Sequence, residues 1–152
     1  MPETLLKGSC YCGSVSYSVA GGPVLSAYCH CINCQRLSGC PFIHTVHVEF
    51  DAFSWTHPPP HGAQLESYTI ENKPWKTRWR CKQCGVCVAG HNAQTDNWSI
   101  WGPHLERGED GKIKDWGVVK PTAHIFYVTR VLDVDDDLGK WEGYENKSLR
   151  LS

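Results

Sequence analysis

Cys29-His-Cys-Ile-Asn-Cys34 places three thiols, those of Cys29, Cys31 and Cys34, within six residues. That spacing contributes little to an apolar core and suits a soft divalent metal. Zinc is the default ion, because thiolates at short spacing close small chelate loops with zinc–sulfur bonds of about 2.3 Å. Three protein ligands leave one corner of a tetrahedron for water or substrate, which marks a catalytic rather than a structural site.

Working outward, two further chelating pairs flank this stretch, Cys10-Tyr-Cys12 and Cys81-Lys-Gln-Cys84. Together they offer four thiolates, the full set for a closed structural zinc site. Gly13 and Gly85 each follow the second cysteine of a pair. Glycine there permits a tight knuckle that turns backbone N–H groups toward sulfur. The loop closed between the pairs is long, so the crosslink would contribute to folding. The expected complement is two zinc ions (Zn2+), one structural and one catalytic. Of the nine cysteines, Cys40 and Cys87 remain. They are expected to be small buried apolar residues outside both sites. The alternative is that Cys40, close behind Cys34, closes the first cluster into a second structural site.

Composition narrows the class. A chain of 152 residues is most simply one domain, expected to span 1–152. The formal net charge of −1 provides no global field for nucleic acid or for a membrane surface. No apolar run is long enough to cross a bilayer, and Met1 to Lys7 lacks the pattern of a signal peptide. An odd cysteine count argues against a disulfide framework and for metal binding in a reducing compartment. The expectation is a soluble, cytoplasmic protein.

The residue pattern is mainly β. Ser14 to Val19 alternates with period two, and Val24 to Tyr28 runs as a strand into the cysteine cluster. Cys31 to Leu37 has room for one or two helical turns ended by Gly39. Phe42 to Phe50 is the clearest strand, rich in β-branched and aromatic residues. Leu65–Ile70 and Lys76–Arg80 read as a hairpin joined through Asn72-Lys-Pro74. Trp98–Trp101 and His124–Val131 are further strands, and Asp135-Asp-Asp137 is a solvated turn or helix start. Short strands separated by Gly and Pro turns predict packed antiparallel sheets.

The segments Gly8-Ser-Cys-Tyr-Cys-Gly-Ser-Val15, Tyr28-Cys-His-Cys-Ile-Asn-Cys-Gln-Arg-Leu-Ser-Gly39 and Arg80-Cys-Lys-Gln-Cys-Gly85 resemble the glutathione-dependent formaldehyde-activating enzyme family, which includes centromere protein V. Phe50-Asp-Ala-Phe-Ser-Trp55 and Pro121-Thr-Ala-His-Ile125 resemble it too. The resemblance covers about residues 5–132 and leaves 133–152 as a C-terminal extension. It implies a tent-like stack of small antiparallel sheets. It implies Cys10, Cys12, Cys81 and Cys84 as structural zinc ligands, and Cys29, Cys31 and Cys34 as catalytic ones. The family's named reaction joins glutathione and formaldehyde into S-hydroxymethylglutathione. The chain departs from the family at Cys40, where a small residue is usual, and at Val86, where a small hydroxyl residue is common.

Three thiolates on one divalent zinc make it a weak Lewis acid for generating hydroxide and a good partner for another sulfur. A thiol bound there loses its proton, and a thiolate adds to an aldehyde carbonyl. The chemistry expected is that of a zinc-dependent carbon–sulfur lyase or synthase acting on a small thiol such as glutathione. Candidate substrate-binding residues are Arg36 for a carboxylate, His44 and His124 as acid, base or ligand, and Trp75. Trp75 lies in a basic hairpin with Lys73, Lys76, Arg78, Trp79 and Arg80, suited to an acidic peptide or a nucleic-acid backbone. His30 and His47 are further candidates for acid, base or fourth ligand. The rival functions are a zinc lyase for a different metabolite and a non-catalytic zinc module that binds a partner.

Overall fold

The computed structural model describes residues 5–152, with eleven strands and little helix among them. They form two compact units, residues 5–24 with Val46–Val119 and Leu25–Thr45 with Lys120–Ser152.

In the first unit, β1 (Leu5–Ser9), β2 (Ser16–Ala20) and, further along, a three-residue strand at Phe53–Trp55 pair antiparallel. The period-two expectation for β2 is met, with Tyr17 and Val19 buried between half-buried serines. Gly8 sits opposite Tyr17 in the register, and the Tyr17 ring occupies the space that a Cβ on Gly8 would fill.

The second unit carries the cysteine cluster. There, β3 (Leu25–Cys29) leads through His30 and Cys31 into α1 (Ile32–Ser38). Cys31 is the N-cap, its sulfur accepting from the Cys34 N–H, and the helix ends at Gly39 in the left-handed region, as expected. The clearest predicted strand is β4 (Ile43–Glu49), whose residues belong partly to each unit.

The first unit continues with β5 (Phe53–Trp55), already placed, then β6 (Leu65–Thr69) and β7 (Lys76–Cys81), which form the expected hairpin. They are followed by β8 (Cys87–Asn92) and β9 (Asn97–Trp101), and the strand order is β4-β9-β8-β7-β6. Its core gathers Leu6, Tyr17, Val46, Val48, Trp98 and Ile100, all nearly inaccessible to solvent. A smaller cluster of Val15, Leu65 and Val88 surrounds Cys10 and Cys81. The unit closes with the short α2 (Trp116–Val119).

The second unit ends with β10 (Ala123–Ile125) and β11 (Gly139–Lys140), in the order β11-β10-β3-β4. β10 pairs parallel with both β3 and β11, two exceptions to the antiparallel pattern. The strand expected over His124–Val131 stops at Ile125. Phe126 adopts φ 52°, which breaks the ladder, and Tyr127–Thr129 forms a 3-10 turn. The core here is Ala27, Cys29, Cys34, Ala123 and Ile125, flanked by Phe126, Trp141 and Tyr144. Among the described residues, no helix is long and apolar enough to cross a membrane.

Candidate metal centres and a buried histidine chain

Two knuckles build the four-cysteine centre within the first unit. In the first, the Gly13 N–H reaches the Cys10 carbonyl and the Val15 N–H approaches the Cys10 sulfur at 3.4 Å. In the second, the Gly85 N–H bonds the Cys81 carbonyl at 2.9 Å, and the N–H groups of Gln83 and Cys84 lie 3.3 and 3.5 Å from the Cys81 sulfur. Gly13 and Gly85 have φ of 81° and 77°, the left-handed conformation that the knuckle requires. The four sulfurs all lie within 4.8 Å of one another. Cys10–Cys12 and Cys12–Cys81 are each 3.7 Å apart. A tetrahedron with bonds of about 2.3 Å separates its sulfurs by about 3.8 Å, so the donor set fits zinc.

The surroundings favour thiolate at this centre. Burial pushes the Cys81 thiol up, but hydrogen bonds from Ser14 and from the Cys84 and Gln83 N–H groups outweigh it and bring it to about 6. Ser14 Oγ lies 3.0 Å from the Cys12 sulfur and 3.1 Å from the Cys81 sulfur. Sequence reasoning did not single out Ser14. Its available signal was a hydroxyl directly after the knuckle glycine.

In the second unit, Cys29, Cys31 and Cys34 form a group of three with sulfurs within 4.8 Å of one another. Among the described residues, no fourth His, Cys, Asp or Glu ligand atom joins that group. The neighbouring Cys31 and Cys34 sulfurs, and then burial, push the Cys29 thiol well above its ordinary value. Three crowded sulfurs ionise together only when a cation offsets their repulsion, so this donor set also fits a metal. Both cysteine clusters can therefore hold metal ions.

Cys40 and Cys87 belong to neither group. Cys87 is half-buried, and burial raises its thiol above the ordinary value. Cys40 corrects the expectation of a buried residue: it is exposed in the turn after α1, near the Ser38 carbonyl.

The other candidates are distributed as follows. Arg36 is exposed on α1. His44 is buried on β4, its Nε2 3.0 Å from Ser26 Oγ. Trp75 is half-buried in the β6–β7 turn of the first unit. His124 is fully buried with both ring nitrogens engaged, Nδ1 2.8 Å from His30 Nε2 and Nε2 2.7 Å from Asp136 Oδ2. The basic hairpin is not a bare cationic face. Arg80 donates to Glu66 across the strands, and the Arg78 guanidinium covers Gly90.

The Asp135–Asp137 segment is exposed, as expected of a solvated turn, and within it Asp136 also bonds His124 and Lys140. Burial pushes its carboxyl up, but hydrogen bonds from His124 and Lys140 outweigh it and hold it at about 2. Burial, and then the neighbouring His124, bring His30 down to about 4, so His30 is a neutral imidazole.

No curated protein matches the sequence. Among solved structures, the chain is similar to a Rhodobacter sphaeroides protein at 19% identity and a TM-score of 0.51, covering 68% of this chain and 90% of that one. At that identity the likeness shows a shared fold alone. The family model for the glutathione-dependent formaldehyde-activating enzyme matches residues 5–129, the stretch that holds all seven clustered cysteines, and the chain belongs to that family.

Proposed function

We propose that the chain is a zinc-dependent carbon–sulfur lyase or synthase that makes or splits a thiol–aldehyde adduct, with glutathione and formaldehyde as the pair that the family name indicates. The observation that carries this reading is the Cys29, Cys31 and Cys34 group, a three-sulfur set beside a separate four-sulfur set. In this reading Cys29, Cys31 and Cys34 hold the catalytic zinc, and Cys10, Cys12, Cys81 and Cys84 hold the structural one. Bound zinc supplies a soft position where a thiol sulfur sheds its proton. In the synthase direction the thiolate sulfur bonds to the aldehyde carbon, and the carbonyl oxygen takes up a proton. In the lyase direction the same carbon–sulfur bond breaks.

The residues of this chain hold and orient the reactants. Arg36, exposed on α1, is proposed to pair with a carboxylate of the peptide thiol. His44 is proposed as a proton-exchanging group and Trp75 as an apolar contact. His124, engaged at both nitrogens, acts through its neighbours. Nine unbridged cysteines support a reducing, cytoplasmic location. The family match and the 133–152 extension are proposed to make one functional domain.

The test is exchange NMR on zinc-loaded protein with glutathione and carbon-13 formaldehyde. The adduct also forms without enzyme, so Cys34→Ser is the control. The wild type is expected to exchange the label faster than the control. Equal rates would leave the adduct of some other thiol, or a binding role, as the function of this fold.

A further inference from the structure

His30 is the single residue between Cys29 and Cys31, and its backbone and ring are both restrained. Its N–H bonds the Ile125 carbonyl at 3.0 Å. Its carbonyl accepts from Gln35 Nε2 at 2.7 Å and from Thr129 Oγ1 at 2.9 Å. Its ring stacks on Phe42 at 4.6 Å and meets the Tyr127 ring edge-on at 4.9 Å. The remaining restraint comes from far along the chain, through His124 to Asp136.

The hydrogen positions along this run follow from its far end. The Asp136 carboxylate only accepts, so His124 Nε2 carries the hydrogen toward Oδ2. Lys140 Nζ, itself nearly inaccessible, lies 2.7 Å from the other carboxylate oxygen and balances its charge. With its single hydrogen on Nε2, His124 presents the bare lone pair of Nδ1 to His30 Nε2, 2.8 Å away. His30 Nε2 must then carry the hydrogen it gives to that lone pair, and His30 Nδ1 is left bare. Nδ1 is buried and has no hydrogen-bond partner among the described residues. One carboxylate thereby fixes the tautomer and the orientation of two rings.

Asp136 and Lys140 both lie beyond residue 129, where the family match ends. We propose that Asp136 is the positioning residue of the three-cysteine centre: through His124 it locks His30, and so holds Cys29 and Cys31 at metal-binding separation. The segment after residue 129 then belongs to the metal site although it supplies no ligand. This rests on the reading that Cys29, Cys31 and Cys34 bind a metal. Residues that orient metal ligands from behind typically change metal affinity by about 10-fold to 100-fold when removed.

Cobalt(II) reports on each centre through its sulfur charge-transfer absorption, and Cys34→Ser identifies which part of the spectrum belongs to the three-cysteine centre. Full-length wild type, Asp136→Asn and the exposed-site control Asp135→Asn are loaded with cobalt and titrated with a chelator. The expected result is that Asp136→Asn loses cobalt from the three-cysteine centre at about 10-fold to 100-fold lower chelator concentration. Its four-cysteine centre, and both centres of Asp135→Asn, should match wild type. Equal retention by Asp136→Asn overturns this inference and leaves the proposed function standing. A wild type that binds no metal at the three-cysteine centre overturns both. Should Asp136→Asn fail to fold, nitrogen-15 histidine spectra of the wild-type zinc protein decide. His30 and His124 are expected as Nε2–H tautomers, and a hydrogen on His30 Nδ1 overturns the chain.

Discussion

The sulfurs of Cys12 and Cys81 lie 3.7 Å apart although 69 positions separate the two residues. A metal held there ties the β1–β2 knuckle to the end of β7, so its binding energy is also folding energy. The three-cysteine centre has the opposite character. Its sulfurs come from six consecutive residues, and closing so short a loop constrains little of the unfolded chain.

From this contrast, freshly purified protein from metal-replete cells should carry two zinc ions per chain. Graded chelation should remove the ion with three protein ligands first, with little change in melting temperature, and the second should leave together with the fold. Metal analysis giving one ion or fewer after anaerobic reconstitution would count against the assignment of both centres.

Cys40 and Cys87 should be dispensable for metal. Cys40→Ala and Cys87→Ala are each expected to retain the full zinc content. In the native zinc protein, exposed Cys40 should react quickly with a thiol reagent, whereas Cys87 should react slowly because burial raises its thiol. Loss of one zinc in either variant would make that cysteine a ligand.

Gly8→Ala tests the packing beneath the first knuckle. A Cβ at position 8 would collide with the ring of Tyr17, which is fully buried and stacked on Phe53 at 5.3 Å. Overpacking of this kind costs about 1–3 kcal/mol, measurable as a lower denaturation midpoint with unchanged zinc content. A midpoint equal to wild type would show that the Tyr17 ring moves aside at little cost.

The parts legible in the sequence were those with local patterns. Seven cysteines at chelating spacing, with glycine after each outer pair, marked both centres, and period-two alternation marked β2 while β-branched and aromatic residues marked β4. The Asp136–His124–His30 run was not legible, because His30 and His124 are 94 positions apart and nothing local distinguishes Asp136 from its two aspartate neighbours. β8 was missed since Gly90 interrupts it, and only the fold shows that Arg78 fills the space over that glycine. The end of β10 was overrun, because Phe126 is aromatic enough to continue a strand and adopts a left-handed φ instead.

Asp136 also sets a pH dependence. Its folded-state value of about 2 lies below the roughly 3.9 of an unfolded aspartate, so its stabilisation is present above about pH 4. It is lost as pH falls toward about 2. The stability difference between wild type and Asp136→Asn should therefore be constant from about pH 8 to about pH 5 and shrink below about pH 4. A difference that persists undiminished at lower pH would mean that the carboxylate charge is not its source.

The two centres are separated most directly by measuring melting temperature, zinc content and turnover for Cys34→Ser and Cys84→Ser side by side. Cys84→Ser should fold poorly or melt at a clearly lower temperature, because it opens the crosslink between distant strands. Cys34→Ser should melt close to wild type while losing one zinc and all turnover. A Cys34→Ser protein that unfolds as badly as Cys84→Ser, or that keeps full turnover, would contradict the assignment of the chemistry to Cys29, Cys31 and Cys34.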